Sequence, residues 1–164
     1  MDNDEVGARI GFAKTLARKV ISNISAPFPP VLIRDVVAYI KQDANLKVFS
    51  WNFTKKISGL LVNDGENSSI GYNINQHRHR QRFTVAHEIG HCLLGHTCSS
   101  ADYNFGSKNP HEVEANQFAA ELLMPLEKLK EDCRIGIDAP ELAKKYYVSE
   151  ESMWWRLMDC KLIK

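Results

Sequence analysis

Apolar residues recur at three- and four-residue steps over residues 5–24, where Val6, Ile10, Ala13, Leu16, Ala17, Val20, Ile21 and Ile24 would share one helical face. Ala26-Pro27-Phe28-Pro29-Pro30 ends that pattern, because proline lacks a backbone donor and biases its predecessor away from helix. The spacing predicts a second helix over 31–44, then three β-like runs at 46–51, 57–63 and 68–74. Asn63-Asp64-Gly65-Glu66-Asn67 is a turn sequence, so the second and third runs are expected to pair as a hairpin within a small antiparallel sheet. Helical spacing returns over 80–94, with Gly95 as a terminator, and again over 111–124. Residues 97–110 between them have no period and many turn formers, which reads as a loop. Two further helices are expected at 139–147 and 149–160, the second capped by Ser149. The pattern as a whole is α+β. It divides into an N-terminal helix and proline-rich linker (1–30), a core (31–132) and a helical C-terminal appendage (133–164).

A chain of 164 residues suits one domain with room for a real core. With 44% hydrophobic and 25% charged residues, wholesale disorder and fibrous architectures are excluded. Lys and Arg total 21 against 20 Asp and Glu, so no global field exists to grip nucleic acid or anionic lipid. The acidic start and the lack of any long apolar run predict neither secretion nor a membrane span, and the expected location is the cytoplasm. Cys92, Cys98, Cys133 and Cys160 form no Cys-x-x-Cys pair and are expected to be reduced, packed thiols.

The chemistry concentrates in His87-Glu88-Ile89-Gly90-His91. At 3.6 residues per turn, His87 and His91 stand about 40° apart on one helical face, close enough for both imidazoles to meet one Zn²⁺. Glu88 is rotated about 100° from His87 and belongs beside the metal, as a general base for a bound water. Ala86, Ile89, Leu93 and Leu94 make the helix a core element, so its polar side chains must offset their desolvation with partners. A catalytic zinc needs a third protein ligand. His96 is a poor source, because the extended His-Glu-x-x-His-x-x-Gly-x-x-His pattern requires glycine at 94 and histidine at 97, where this chain has Leu94 and Thr97. The helix at 111–124 is a better one. There Glu114 shares a face with Phe118 and Glu121 beside the small Ala115 and Ala119, and a glutamate at such a packing seam demands a cation.

Arg82-Phe83-Thr84-Val85-Ala86-His87-Glu88-Ile89-Gly90-His91, followed by Glu114-Ala115-Asn116-Gln117-Phe118-Ala119-Ala120-Glu121-Leu122-Leu123-Met124-Pro125, resembles the ImmA/IrrE family of zinc metallopeptidase-like regulators. With a looser match in the preceding strands, the resemblance spans residues 31–126. It implies a zincin-like core, Zn²⁺ held by His87, His91 and Glu114, and Glu88 as the base. It also implies an intracellular endopeptidase whose substrate is a helix-turn-helix transcriptional repressor, often of a phage or mobile element. Phe118 stands four residues after Glu114, where related glutamate-ligand proteases have an aspartate to orient a ligand histidine. Glu121, Glu112 and Asp102 are the candidates for that role, and Tyr103 and His111 for stabilising the oxyanion.

The basic run His77-Arg78-His79-Arg80-Gln81-Arg82 reads as a solvated turn with one arginine paired to a carboxylate, or as a rim for substrate or nucleic acid. Residues 142–157 look like a helix-turn-helix, but the second helix carries Glu150, Glu151 and Asp159 against a lone Arg156, which suits neither phosphate nor a guanine edge. Docking onto the core, with Trp154 or Trp155 buried, is the expected role, and DNA binding should be weak. The rival to an endopeptidase is a non-hydrolytic, zinc-containing regulator that works by binding protein or DNA. The intact Glu88 favours the enzyme, and a purely structural zinc site usually fills all four positions, often with cysteine.

Overall fold

A computed structural model describes residues 7–24, 29–96, 99–101 and 106–163. Among them the chain runs α1 (Ile10–Asn23), α2 (Ile33–Ile40), β1 (Asn45–Trp51), β2 (Gly59–Asn63), β3 (Asn67–Asn73), α3 (Arg78–Leu94), β4 (Ser99–Ala101), α4 (Pro110–Leu123), α5 (Leu126–Arg134), α6 (Ala139–Tyr146) and α7 (Glu150–Asp159). The fold is α+β. Its centre is α3, which packs on β2 and β3 on one side and on α4 on the other, while α1 covers α4. Sandwiched this way, α3 buries every residue from Phe83 to His91, polar ones included. No described helix is long and apolar enough to cross a membrane.

The expected β2–β3 hairpin forms, with Gly59 opposite Tyr72 and Asn63 opposite Ser68. Its turn is closed by the Asp64 carboxylate, which accepts from the backbone N–H of Glu66 and Asn67, and Gly65 takes φ 96°. The sheet is mixed, however, and not wholly antiparallel. Its order is β1-β3-β2-β4, and β1 runs parallel to β3. The seven residues from 52 to 58 are too long for a tight turn, so β3 inserts between β1 and β2. Asn73 secures that link, its amide donating to the carbonyls of Thr54 (3.0 Å) and Ile57 (2.8 Å).

The expected loop at 97–110 contains one short strand, since the backbone of 99–101 pairs antiparallel with β2. Three residues are too few to show a period of two, so local pattern could not reveal it. Helix α5 was likewise hidden, because between Leu126 and Arg134 it buries only Leu129 and Asp132. Asp132 ties it to α6, accepting from Lys145 Nζ (2.7 Å) and Tyr146 Oη (2.9 Å).

The tail forms the expected pair of helices, and Ser149 caps α7 by accepting from the Ser152 N–H. Neither tryptophan is buried: Trp154 is 46% and Trp155 50% exposed. The inner face of α7 is Met153, Arg156 and Leu157, and the tryptophans lie about 100° and 200° round from Met153. Arg156 is the anchor. Its guanidinium donates to the Glu121 carboxylate and to the Met124 carbonyl at the end of α4.

Candidate metal centre

Two glycines set how closely the walls of the site approach. A Cβ on Gly59 of β2 would lie 2.4 Å from Thr84 Cγ2 and 3.7 Å from Glu88 Cγ, so the bare backbone lets β2 rest on α3 beside Glu88. A Cβ on Gly90 would lie 3.0 Å from Phe118 Cδ1 and 3.3 Å from Ala115 Cα. The glycine inside the His-Glu-x-x-His string therefore admits α4 at close range.

That approach brings a carboxylate to the two imidazoles. His87 Nε2 and His91 Nε2 face each other at 3.0 Å, and the Glu112 oxygens stand 3.2 Å from each. The histidines are fully buried, and the Glu112 side chain is 19% exposed. His87 donates from Nδ1 to Asn116 Oδ1 at 2.8 Å, which leaves its Nε2 as a lone pair aimed at the cluster. Burial opposes the charge of Glu112, but hydrogen bonds with His87 and His91 outweigh it and hold the carboxyl well below its ordinary range.

Ligand atoms about 2.0–2.1 Å from a tetrahedral zinc stand about 3.3 Å apart, close to the edges of this triangle. Three such atoms repel at these distances unless a cation or a proton lies among them. Among the described residues, His87, His91 and Glu112 form the group able to hold a metal ion. Two imidazoles, one carboxylate and an orienting amide also match the chemistry of a zinc donor set.

Glu114, the expected third ligand, is placed elsewhere. It is buried against α1, accepting from Arg9 N (2.8 Å), Nε (3.1 Å) and Nη2 (2.8 Å), and from His96 Nε2 (2.9 Å). The Arg9 hydrogen bond is the main reason its pKa falls to about 2. The cation that this packing seam demanded is a guanidinium. Glu121, on the same face, pairs with Arg18 Nε at 3.0 Å and with Arg156, and so orients no histidine. That task falls to Asn116, four residues after Glu112. The sequence did carry this signal, but it becomes visible only when the count starts at Glu112.

His111 stacks on His96, ring centroids 4.1 Å apart and 16° from parallel. Asp102 and Tyr103 lie outside the described residues. Cys92 points away from the metal cluster, toward Ser68 Oγ at 3.4 Å. In the basic run, Arg82 donates to the Tyr147 carbonyl and lies over that ring, and Arg80 donates to Ser58, so neither of these bonds goes to a carboxylate. Arg78 and Arg82 line a cavity of about 880 Å³ between α2, α3 and the sheet, and none of His87, His91 and Glu112 borders it.

The profile of the IrrE N-terminal-like domain, peptidase family M78, matches residues 41–158. The chain belongs to this family. It is also 30% identical over 114 residues to "Uncharacterized immunity region protein 2" of Bacillus phage phi105, covering 68% of this chain and 70% of that one. The family match over residues 41–158 holds the whole His87–His91–Glu112 cluster, Glu88 and Asn116. Arg9 and all of α1 lie outside it.

Proposed function

We propose that this family member is a zinc-dependent endopeptidase of zincin-like architecture, with His87, His91 and Glu112 as ligands and Glu88 as general base. The observation that carries the reading is the convergence of three lone-pair-bearing side chains, within 3.0–3.2 Å of one another, with a buried glutamate, Glu88, next to His87 in the chain. When bound, zinc supplies a Lewis acid that polarises a scissile carbonyl and makes water acidic enough to deprotonate near neutral pH. Glu88 takes that proton and returns it to the leaving amine nitrogen. Asn116 fixes the tautomer of His87 throughout. The bare backbone of β2 at Gly59 packs against Thr84 and the Glu88 side chain and so closes one side of Glu88.

The substrate on this reading is an extended segment of a protein regulator, such as a helix-turn-helix repressor. The phage relative is named for an immunity region, which supports that class of substrate. Strand β4 is the sheet edge next to β2 and offers backbone groups to such a segment. The helix-turn-helix-like α6–α7 pair serves as a brace, because its central arginine is spent on Glu121 inside the protein. The test is to incubate zinc-loaded protein with candidate repressors and look for a discrete cut by mass spectrometry. Glu88→Gln should stop the cut while retaining metal. If wild type and Glu88→Gln act alike on a repressor, without cleavage, the protein is a binding regulator and the hydrolytic reading fails.

A further inference from the structure

Among the described residues, His91 has no amide partner like the one that orients His87. Its Nδ1 meets His96 Nδ1 at 2.8 Å, and His96 Nε2 meets Glu114 Oε2 at 2.9 Å. The Glu114 carboxylate also receives three hydrogen bonds from Arg9, whose backbone N–H, Nε and Nη2 all donate to it. We propose that Arg9, Glu114 and His96 form a positioning relay that fixes the tautomer and ring orientation of His91, making the N-terminal helix part of the metal-binding apparatus. The proposal rests on the reading that His87, His91 and Glu112 hold the metal.

The direction of each hydrogen bond follows from its neighbour. A carboxylate already receiving three N–H groups from a guanidinium and a backbone amide acts as an acceptor, so His96 must donate to it from Nε2. A neutral imidazole has one N–H, which leaves His96 Nδ1 as an acceptor. His91 Nδ1 must then be the donor, and His91 Nε2 carries the lone pair toward His87 and Glu112. Every link depends on a single proton, and reversing one would put a proton on the nitrogen that faces the metal.

The fold delivers each member. Gly95 ends α3 in the left-handed conformation (φ 75°), and the His96 N–H closes back onto the His91 carbonyl at 3.0 Å. This helix ending folds His96 over His91, and the His111 ring stacks on its outer face. The side chains of His96 and Glu114 are each 3% exposed, so water has little access to replace either bond. Arg9 lies just before α1, which packs along α4 and meets it again through Arg18 and Glu121.

The test uses the full chain. Zn²⁺ dissociation constants are measured by chelator competition for wild type, Arg9→Gln, His96→Ala, His96→Gln and Glu112→Ala, with circular dichroism as the check on folding. Loss of an orienting partner of this kind weakens metal binding by about 10- to 100-fold, the effect expected for Arg9→Gln and His96→Ala. His96→Gln can still accept from His91 and donate to Glu114, so it should recover most of the loss. The imidazole nitrogen resonances of metal-free wild type provide a readout that needs no variant, and they should show His91 protonated at Nδ1. If wild type shows His91 protonated at Nε2, or if Arg9→Gln and His96→Ala bind Zn²⁺ as wild type does while Glu112→Ala does not, the relay is wrong. If wild type binds no Zn²⁺, the metal reading fails by itself, and the His91 tautomer still decides whether the relay exists.

Discussion

Glu112 and Glu114 stand two residues apart on α4 and live in opposite surroundings. The first is partly exposed between two imidazoles, and the second is buried against an arginine and a third imidazole. Two residues turn a helix by about 200°, so one carboxylate faces α3 and the other faces α1. Seven further residues bring Glu121 back to the α1 side, where Arg18 and Arg156 hold it. The three glutamates share one helix and one ordinary pKa. What separates them is the partner each face meets: a pair of imidazoles in one case, built-in guanidinium groups in the other two. The Glu114 oxygens are filled by three N–H groups of Arg9 and by His96, so they are not free to turn toward the His87–His91 pair.

The largest effect should come from exchanging these roles. Glu112→Ala removes the proposed carboxylate ligand and should abolish stoichiometric zinc in metal analysis of purified protein. Glu114→Ala should still bind zinc, with weakened affinity. Equal occupancy in both variants would make the two carboxylates equivalent and undo the contrast. Next comes Glu88→Gln, which should lower proteolysis by about 10²–10⁴-fold in a cleavage assay with zinc content unchanged.

Glu121→Ala isolates the structural face. It strands the buried Arg156, and breaking a buried pair on one side costs about 3–5 kcal/mol, readable in urea unfolding of the metal-free protein. Zinc affinity should be unaffected, because neither Glu121 nor Arg156 touches the cluster. Gly90→Ala tests the close approach of the two helices. Pressing a methyl against Phe118 and the Ala115 backbone should cost about 1–3 kcal/mol and move Glu112 relative to the imidazoles, with a matching loss of metal affinity.

The smallest effect is on pH dependence. Burial opposes the charge on Glu121, yet Arg156 and Arg18 bring its folded pKa below the ordinary 4.5. A depressed folded pKa means that the stabilisation is complete above about pH 4.5 and is lost as the pH falls further. Glu121→Gln should flatten that acid limb in urea titrations run at successive pH values. An unchanged limb would assign the acid sensitivity to other carboxylates.

Much of the site could be read in advance, because helical periodicity is a local property. Four residues separate His87 from His91, and one separates His87 from Glu88, so their relative placement holds wherever α3 goes. The β2–β3 hairpin and the Ser149 cap are legible for the same reason, each being settled within a few residues by turn or cap chemistry. The parallel pairing of β1 with β3, the pairing of β4 and the outward tryptophans each depend on a segment distant in sequence.

The proposed third ligand, Glu112, belongs with that second group. Sequence alone placed Glu114 and Glu121 on one face of the helix at 111–124 and required a cation for a buried glutamate there. Which face meets the histidines depends on α1 packing along one side of α4 while α3 approaches the other through Gly90. Arg9 lies 105 residues from Glu114 along the chain. Local spacing carries no information about contacts of that range, since they are set by how whole helices bury their apolar faces against one another, and the chemistry of α4 follows from that packing.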